Sequence, residues 1–280
     1  MRADMHMHSH YSDGSDDLET LLKHVEENEI KTFSLTDHDT ILGTIKIETM
    51  IPDDLTFYRG IEFSAITKYR EVHILGYNFD PNNPILLETI EEGKRKRALK
   101  LENRLRYLKE QFNITFKQED LDYLYSLNAV AKPHLGRMLM KYGYCDSISE
   151  GITKYINGCK VDHDRIDYKE AIHAIQEAGG IAVWAHPLGG EHVRHFEPWE
   201  CERQLDLLLQ EGLDGMECYY SRYTTKEEDY LLSLAHKHHL LISGGSDYHG
   251  KNKTVKMGCL NSEGEAIDAS KLTLLDALCS

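Results

Sequence analysis

The first segment of the chain carries two histidines and a carboxylate at a spacing suited to metal binding. His6 and His8 are two residues apart, so on an extended strand their side chains lie on the same face. Asp13 follows within a turn predicted at residues 12–14. Imidazole nitrogens and carboxylate oxygens bind zinc, manganese, iron or cobalt without selecting one of them. The alternative is a chance cluster of histidines at a disordered end of the chain.

Further residues of the same types recur at or near predicted strands, which argues against chance. Most of them directly follow a short apolar run, and one lies inside an alternating run. They are His38, Glu62, His186, Asp247 and His249 after such runs, and His73 within residues 71–77. Because sites in barrels and open α/β sheets are built at the carboxyl ends of strands, we expect these side chains to converge.

The order of predicted elements indicates an α/β protein with an inserted block. Strands and helices alternate up to about residue 80, beginning with an amphipathic helix from Leu18 to Glu29, and alternation resumes at Tyr168. Residues 82–165 are instead dominated by helical patterns. We therefore predict one barrel or sheet domain from residues 1–81 and 166–280, with 82–165 as a helical insertion.

Composition limits the classes of function that the chain can have. The net charge is −15 over 280 residues, which disfavours binding to long nucleic acids. No apolar run approaches a membrane span, and the N-terminus has no signal-peptide core. The six cysteines form no C-x-x-C pair, so free thiols and a cytoplasmic location are expected.

A run of four basic residues, 94–97, lies within the long helical pattern of the inserted block. It has two interpretations. The run is either a clamp for a phosphate group or, as is usual for charge runs on helices, a solvated helix face.

The motifs resemble those of the PHP (polymerase and histidinol phosphatase) family. They span residues 3 to 250, and the first and last are the most specific. The segments are Asp4-Met5-His6-Met7-His8-Ser9-His10-Tyr11-Ser12-Asp13-Gly14, Thr36-Asp37-His38-Asp39, Gly60-Ile61-Glu62, Val72-His73-Ile74-Leu75-Gly76-Tyr77, Lys132-Pro133-His134, Ala185-His186-Pro187 and Ser246-Asp247-Tyr248-His249. The resemblance implies a distorted, TIM-like (β/α)7 barrel with a trinuclear metal site and phosphoesterase activity. The insertion and its Lys-Pro-His motif resemble the branch with nucleotide phosphatases and short-RNA exonucleases.

The resemblance also implies a ligand set for two to three divalent ions of manganese, iron or zinc. One ion would be bound by His6, His8, Glu62 and Asp247, and a second by Asp13, His38 and His249. A third would be bound by His73 and by His134 from the insertion, with Glu62 bridging it to the first. Asp13 departs from members that have histidine there, and a carboxylate favours a harder ion such as manganese or iron(II).

The expected activity is hydrolysis of phosphate monoesters of small molecules, most of all nucleotides such as nucleoside 3′,5′-bisphosphates. Clustered divalent ions supply a bridging hydroxide near neutral pH, so no serine or cysteine nucleophile is required. Residues assigned to catalysis beside the ions are His249, His186 and Asp247, with either histidine as proton donor to the leaving group. Residues assigned to substrate contact are Lys132, Arg137, Arg222 and His186. For His186, a ligand, a substrate contact and a supporting hydrogen bond all stay open.

Three alternatives belong to other classes of function. The same ions would serve a cyclic phosphodiesterase or a 5′–3′ exonuclease on short oligonucleotides, and a barrel site of this kind would also serve a metal-dependent amidohydrolase. A structural metal-binding or polymerase-accessory module is disfavoured, because structural zinc sites are closed and often use cysteine. We expect the insertion to wall one side of the cleft and to exclude water.

Overall fold

The computed structural model describes residues 1–127, 129–160, 165–190 and 194–279. The strands are β1 (Arg2–Asp4), β2 (Ile30–Leu35), β3 (Thr56–Ile66), β4 (Glu71–Tyr77), β5 (Ile166–Asp167), β6 (Ile181–Trp184), β7 (Gly215–Tyr220) and β8 (Leu241–Gly245). The helices are α1 (Leu18–Glu27), α2 (Leu42–Glu48), α3 (Pro84–Phe112), α4 (Gln118–Ser126), α5 (Lys132–Lys141), α6 (Ile148–Gly151, continued as a π-helical turn over Ile152–Ile156), α7 (Tyr168–Glu177), α8 (Pro198–Gln210), α9 (Thr225–Lys237) and α10 (Thr273–Leu278).

Seven strands form a nearly closed barrel in the order β1-β2-β3-β4-β6-β7-β8, and the short β5 pairs with β3 outside this path. β4 is antiparallel to both neighbours, whereas the other pairs are parallel. The seam between β8 and β1 is bridged by a 3.1 Å bond from the Met5 amide to the Gly244 carbonyl. The predicted distorted (β/α)7 barrel is therefore confirmed.

Two residues allow the barrel to close at this seam. A side chain on Gly245 would bring its Cβ within 2.2 Å of the His6 Cβ, so only glycine permits the approach. The buried Asp4 carboxylate accepts bonds from the Ser246 amide at 2.9 Å and hydroxyl at 2.6 Å. It also accepts the Gly258 amide at 2.8 Å. Asp4 thereby fixes the end of β1, which leads into His6, against the end of β8, which leads into Asp247.

The predicted first helix agrees with the structure, whereas β3 is longer than predicted. α1 buries the predicted apolar face, and Asp17 caps it by accepting the Thr20 amide at 2.8 Å. β3 was expected to end before Glu62, but it continues to Ile66. It continues because residues 60–66 form a hairpin ladder with β4. Glu62 therefore lies inside a strand instead of following one.

The inserted block contains a small core of its own. The first part of α3 packs Leu86 and Ile90 into the main core, whereas Leu101 and Leu108 pack with residues of α4 and α5 in a separate cluster. α3 has 29 residues and is strongly charged; neither it nor another helix of the described residues has the length and apolarity of a membrane span.

The basic run at residues 94–97 divides between two roles. Lys94 and Arg95 form ion pairs with acidic residues of the same helix, as expected for a solvated face. Arg97 is buried and donates to Asp39 Oδ2 and to the Ser64 hydroxyl. Asp39 also accepts the Ser64 amide at 2.9 Å, so Arg97 fastens α3 to the barrel.

Replacing Gly245 with alanine tests the glycine requirement at the seam. We expect Gly245→Ala to lower the free energy of unfolding by about 3 kcal/mol, because an added methyl group in a close-packed contact forces strand displacement. Urea denaturation measures the change. Gly190→Ala is the matched control, since its Cβ would lie 3.7 Å from the nearest atom. Equal stability of the two variants would contradict this account of the seam.

Candidate metal centre

The predicted ligand residues converge at the mouth of the barrel. Among the described residues, three groups of side chains place one ligand atom each within 4.8 Å of one another. The groups are His8, Asp13, His38 and His249; His6, His8 and Asp247; and His38, Glu62 and His73. Eight of the nine predicted ligands are thus brought together, although they come from five different strands or strand ends.

Glu62 lies at the centre of this cluster. Its carboxylate is almost fully buried, and imidazoles surround both oxygens. Oε2 lies 3.1 Å from His8 Nε2 and 3.1 Å from His38 Nδ1, while Oε1 lies 2.8 Å from His73 Nδ1 and 3.2 Å from His186 Nε2. A carboxylate in this position is suited to bridge two ions.

Two further carboxylates approach the cluster from opposite ends of the chain. Asp13 Oδ1 lies 3.1 Å from His249 Nε2, and Asp13 Oδ2 lies 3.8 Å from His38 Nε2. Asp247 Oδ1 lies 3.4 Å from His8 Nε2. Asp247 has the left-handed φ of 57°, which turns its carboxylate inward directly after β8.

Several buried atoms in the cluster make no hydrogen bond of acceptable geometry, although other polar atoms lie close to them. They are His8 Nδ1, Asp13 Oδ1, His38 Nδ1, Glu62 Oε2 and His249 Nε2. Buried polar atoms without partners are costly, and those found in native proteins commonly mark a ligand. These nitrogen and oxygen donors, with no sulfur among them, fit divalent metal ions of the first transition row.

The electrostatics of the cluster keep its carboxylates anionic but do not leave every imidazole neutral. Burial raises the pKa of Glu62, but His38 and His6 outweigh it and hold that pKa well below its usual range. The pKa of Asp13 is likewise held low by His249 and His38 against the effect of burial. Burial lowers the pKa of His38 and of His249. In His6, by contrast, burial is outweighed by the carboxylates of Glu217 and Glu62, which raise the pKa of the ring well above its usual value. Anionic carboxylates and neutral imidazoles are the forms that coordinate metals.

Two buried carboxylates orient the ligands without joining the cluster. Glu217 Oε1 lies 3.0 Å from His6 Nδ1, which leaves His6 Nε2 facing the cluster, and Glu217 Oε2 accepts the His186 amide at 2.7 Å. Asp37 accepts the Ser9 amide at 2.9 Å and the Ser9 hydroxyl at 2.7 Å, which fixes the loop between His8 and Asp13. Sequence analysis missed Glu217, although an acidic residue in the otherwise apolar strand 215–220 is a usable signal.

His134 and His186, the two remaining histidines of the predicted site, differ in their position relative to the cluster. His134 is buried on α5, where its Nδ1 accepts the Ala131 amide at 3.0 Å, and it lies outside the three groups. His186 lies beside Glu62 and stacks on the His6 ring, with centroids 5.8 Å apart. Its φ of 30° turns the ring toward the cluster directly after β6. In this structure His186 therefore occupies the position beside Glu62 and His73.

A cavity of about 670 Å³ lies above the cluster. His38, Glu62, His73, His186 and Asp247 form its floor, and residues of α5, α6 and the π-helical turn form one wall. Its lining cations are Arg70 and Lys253, neither of which was singled out from the sequence. Lys253 Nζ donates to Asp247 Oδ2 at 2.6 Å.

The three basic residues expected to contact substrate do not line this cavity. Lys132 donates to Asn157, Arg137 to Asn252 and Arg222 to Thr254. Asn157 and Asn252 do line the cavity, so Lys132 and Arg137 lie one side chain removed from it.

The chain is similar over most of its length to three characterised bacterial enzymes. It is 28% identical over 264 residues to the 5′-3′ exoribonuclease Rnm of Escherichia coli, covering 91% of this chain and 87% of that protein. It is 29% identical over 262 residues to a phosphoribosyl 1,2-cyclic phosphate 1,2-diphosphodiesterase of Eggerthella lenta, covering 90% and 95%. It is 26% identical over 255 residues to a 3′,5′-nucleoside bisphosphate phosphatase of Chromobacterium violaceum, covering 88% and 86%.

A solved structure from Bifidobacterium adolescentis, described as a candidate metal-dependent phosphoesterase, has the same fold. The two superpose with a TM-score of 0.82 and 25% identity, over 99% of this chain and 95% of that one. The family model described as PHP domain matches residues 4–189, which include β2 to β6 and most of the cluster. The chain therefore belongs to the PHP domain family.

Proposed function

We propose that the protein is a metal-dependent phosphoesterase that removes a terminal phosphate from small nucleotides, such as nucleoside 3′,5′-bisphosphates. The observation that carries this proposal is the buried cluster of imidazoles and carboxylates at the floor of a cavity large enough for a nucleotide. The activities of the three bacterial relatives, all of which act on phosphate esters, support the same class of reaction.

The ligand atoms are suited to hold two to three ions of manganese, iron or zinc. His6, His8, Glu62 and Asp247 would hold one ion, and Asp13, His38 and His249 would hold another. Glu62 and His73 would hold a third, with His134 as a further ligand after a shift of α5. Bound there, the ions supply charge that polarises the phosphoryl oxygens and lowers the pKa of a bound water.

Two cations of the cavity are placed to bind the phosphate group. Burial lowers the pKa of Lys253, but Asp247 and Asp13 outweigh it and raise that pKa above its usual value, so the side chain is charged. Arg70 also lines the cavity and carries a planar guanidinium, which pairs well with phosphate oxygens. Both replace the substrate contacts that we expected from Lys132, Arg137 and Arg222.

His186 is better placed than His249 to give a proton to the leaving oxygen. His249 is buried, and its two nitrogens face the Asp247 carbonyl at 2.8 Å and Asp13 Oδ1 at 3.1 Å. His186 lines the cavity, and among the described residues the carboxylate of Glu62 faces its Nε2 while none faces its Nδ1. We therefore assign His249 and Asp247 to metal binding and His186 to proton transfer.

The cavity walls favour a nucleotide over a bare phosphate or a long polymer. Apolar side chains from the insertion (Pro133, Ile148 and Ile152) and from the barrel side (Trp184 and Phe196) offer contacts to a base. The net charge of −15 would repel a long polyanion outside the cavity. Cleavage of a cyclic diester or of short RNA from its 5′ end is the second candidate, because two relatives carry out those reactions.

Metal content and two glutamate variants test the ligand assignment. Manganese-loaded protein should contain about two to three ions per chain. Glu62→Gln should lose at least one ion and nearly all activity, because Glu62 is central to the cluster. Glu217→Gln should lose only about 10- to 100-fold in metal affinity or activity, as is typical of residues that orient a ligand. Glu26→Gln, on the surface, is the control. Full metal content in Glu62→Gln would refute the assignment.

Metal affinity should increase with pH up to about 9. Burial lowers the pKa of His73, but Glu62 and Glu71 outweigh it and raise that pKa to about 9. In metal-free protein the ring is therefore protonated at neutral pH, and an ion must displace its proton. Affinity should rise by at least about tenfold per pH unit between pH 7 and 9, because His6, whose pKa is also raised, would release a proton as well. Chelator competition at several pH values measures this rise, and a flat profile would count against His73 as a ligand.

Kinetics on defined phosphate esters test the proposed reaction. The manganese-loaded enzyme should release phosphate from a nucleoside 3′,5′-bisphosphate with a kcat/KM at least about tenfold above that for a cyclic nucleotide. Lys253→Met should raise KM for the bisphosphate, whereas Lys251→Met, on the exposed neighbouring turn, should not. Faster cleavage of an oligonucleotide that lacks a terminal phosphate would show that the enzyme is a nuclease first.

A further inference from the structure

An exposed aromatic surface lies at the rim of the cavity, where the tip of the β3–β4 hairpin meets α8. Tyr69 is 39% exposed and Trp199 is 60% exposed. The Arg203 guanidinium lies 3.9 Å from the centroid of the Tyr69 ring and 5.2 Å from that of the Trp199 ring. We call these three residues the stacking patch.

The patch is held in place before any ligand binds. The buried hydroxyl of Thr67 donates to Gln204 Oε1 of α8 at 3.0 Å. The same hydroxyl accepts the amides of Tyr69 at 3.1 Å and Arg70 at 3.2 Å. The hairpin turn and α8 are therefore joined by a buried hydrogen-bond network, so that little conformational freedom would be lost on binding.

The patch is continuous with the cavity. Arg70 follows Tyr69, and its guanidinium lies 3.3 Å from the centroid of the Phe196 ring. Arg70 and Phe196 both line the cavity. Tyr69 is four residues from His73, so the two lie at most about 13 Å apart along an extended chain. This upper limit allows an oligonucleotide of a few residues to contact both the patch and the cluster.

Two cations lie against the Tyr69 ring of the patch, although α8 also carries Glu200 and Glu202 beside Arg203. Arg203 and Lys68 both make cation–π contacts with Tyr69, and within the described residues neither has a carboxylate at ion-pair distance. The chain as a whole has a net charge of −15. Exposed aromatic rings beside guanidinium planes are the surface on which the bases of single-stranded nucleic acids stack.

We propose that the stacking patch binds the second and third bases of a short single-stranded oligonucleotide whose terminal phosphate lies at the metal cluster. The inference rests on the proposed function and names the residues that would contact a short oligonucleotide beyond its terminal nucleotide. The patch consists of only three side chains, so the benefit of added length ends after about three nucleotides.

Kinetics on 5′-phosphorylated adenosine oligonucleotides of one, two, three and six residues test the proposal. For the manganese-loaded enzyme, KM should fall roughly five- to tenfold from one residue to three and no further at six. Trp199→Ala and Arg203→Ala should abolish this gain and leave kcat/KM for the mononucleotide unchanged. Tyr123→Ala removes a comparably exposed ring from α4 and should behave as wild type.

A binding measurement separates failure of this proposal from failure of the proposed function. The phosphorylated trinucleotide should quench the emission of Trp199, obtained as the difference between wild type and Trp199→Phe. Binding of the trinucleotide should also weaken as salt is added. A wild-type enzyme that hydrolyses the mononucleotide without a length effect, or patch variants that retain the effect, would overturn the proposal. Quenching without hydrolysis of any monoester would retain the patch and refute the proposed function. A patch that only contacts another protein would show neither quenching nor a length effect.

Discussion

The buried carboxylate of Glu62 is the group on which the arrangement of the site depends. Imidazoles from the ends of four other strands, or from within them, face its two oxygens, so the position of each ring is coupled to this one side chain. A lone carboxylate at this depth would be strongly destabilised. The surrounding imidazoles, and the ions that the cluster is suited to hold, offset that cost. The barrel mouth therefore reaches its folded arrangement only when the residues around Glu62 assemble into the cluster.

Four further carboxylates hold the strands and loops around Glu62 in fixed positions. Asp4 joins the first strand to the last, and Asp37 fixes the loop that carries Asp13. Asp39 joins β3 to α3 through Arg97, and Glu217 orients His6 and the backbone of His186. None of the four faces the cavity. Much of the acidic content near the site thus serves to position ligands rather than to bind substrate.

Local sequence patterns predict an α/β barrel or sheet and most of the cluster, and the resemblance to a known family narrows the fold to a distorted (β/α)7 barrel. His6, His8, Asp247 and His249 can be recognised since they lie at fixed spacings beside apolar runs. Lys253 and Arg70 leave no such pattern, because a basic residue in a loop looks the same whether it faces a cavity or solvent. The orientation of His134 depends on how α5 docks against the barrel, which is a tertiary property. The continuation of β3 past Glu62 was missed because it is stabilised by pairing with β4 and not by its own residues.

The reversed direction of β4 also determines the length of α3. Because β4 runs against its neighbours, it starts at the mouth and ends with Tyr77 beside Ile181, the first residue of β6. The chain thus leaves the hairpin at the end of the barrel opposite the metal cluster. To return a wall to the cavity it must travel the full height of the molecule, and α3, with 29 residues, rises about 44 Å. The direction of β4 therefore fixes the distance that α3 must span. Deleting one or two turns of α3 would draw the wall of the cavity away from the site and leave every barrel strand intact.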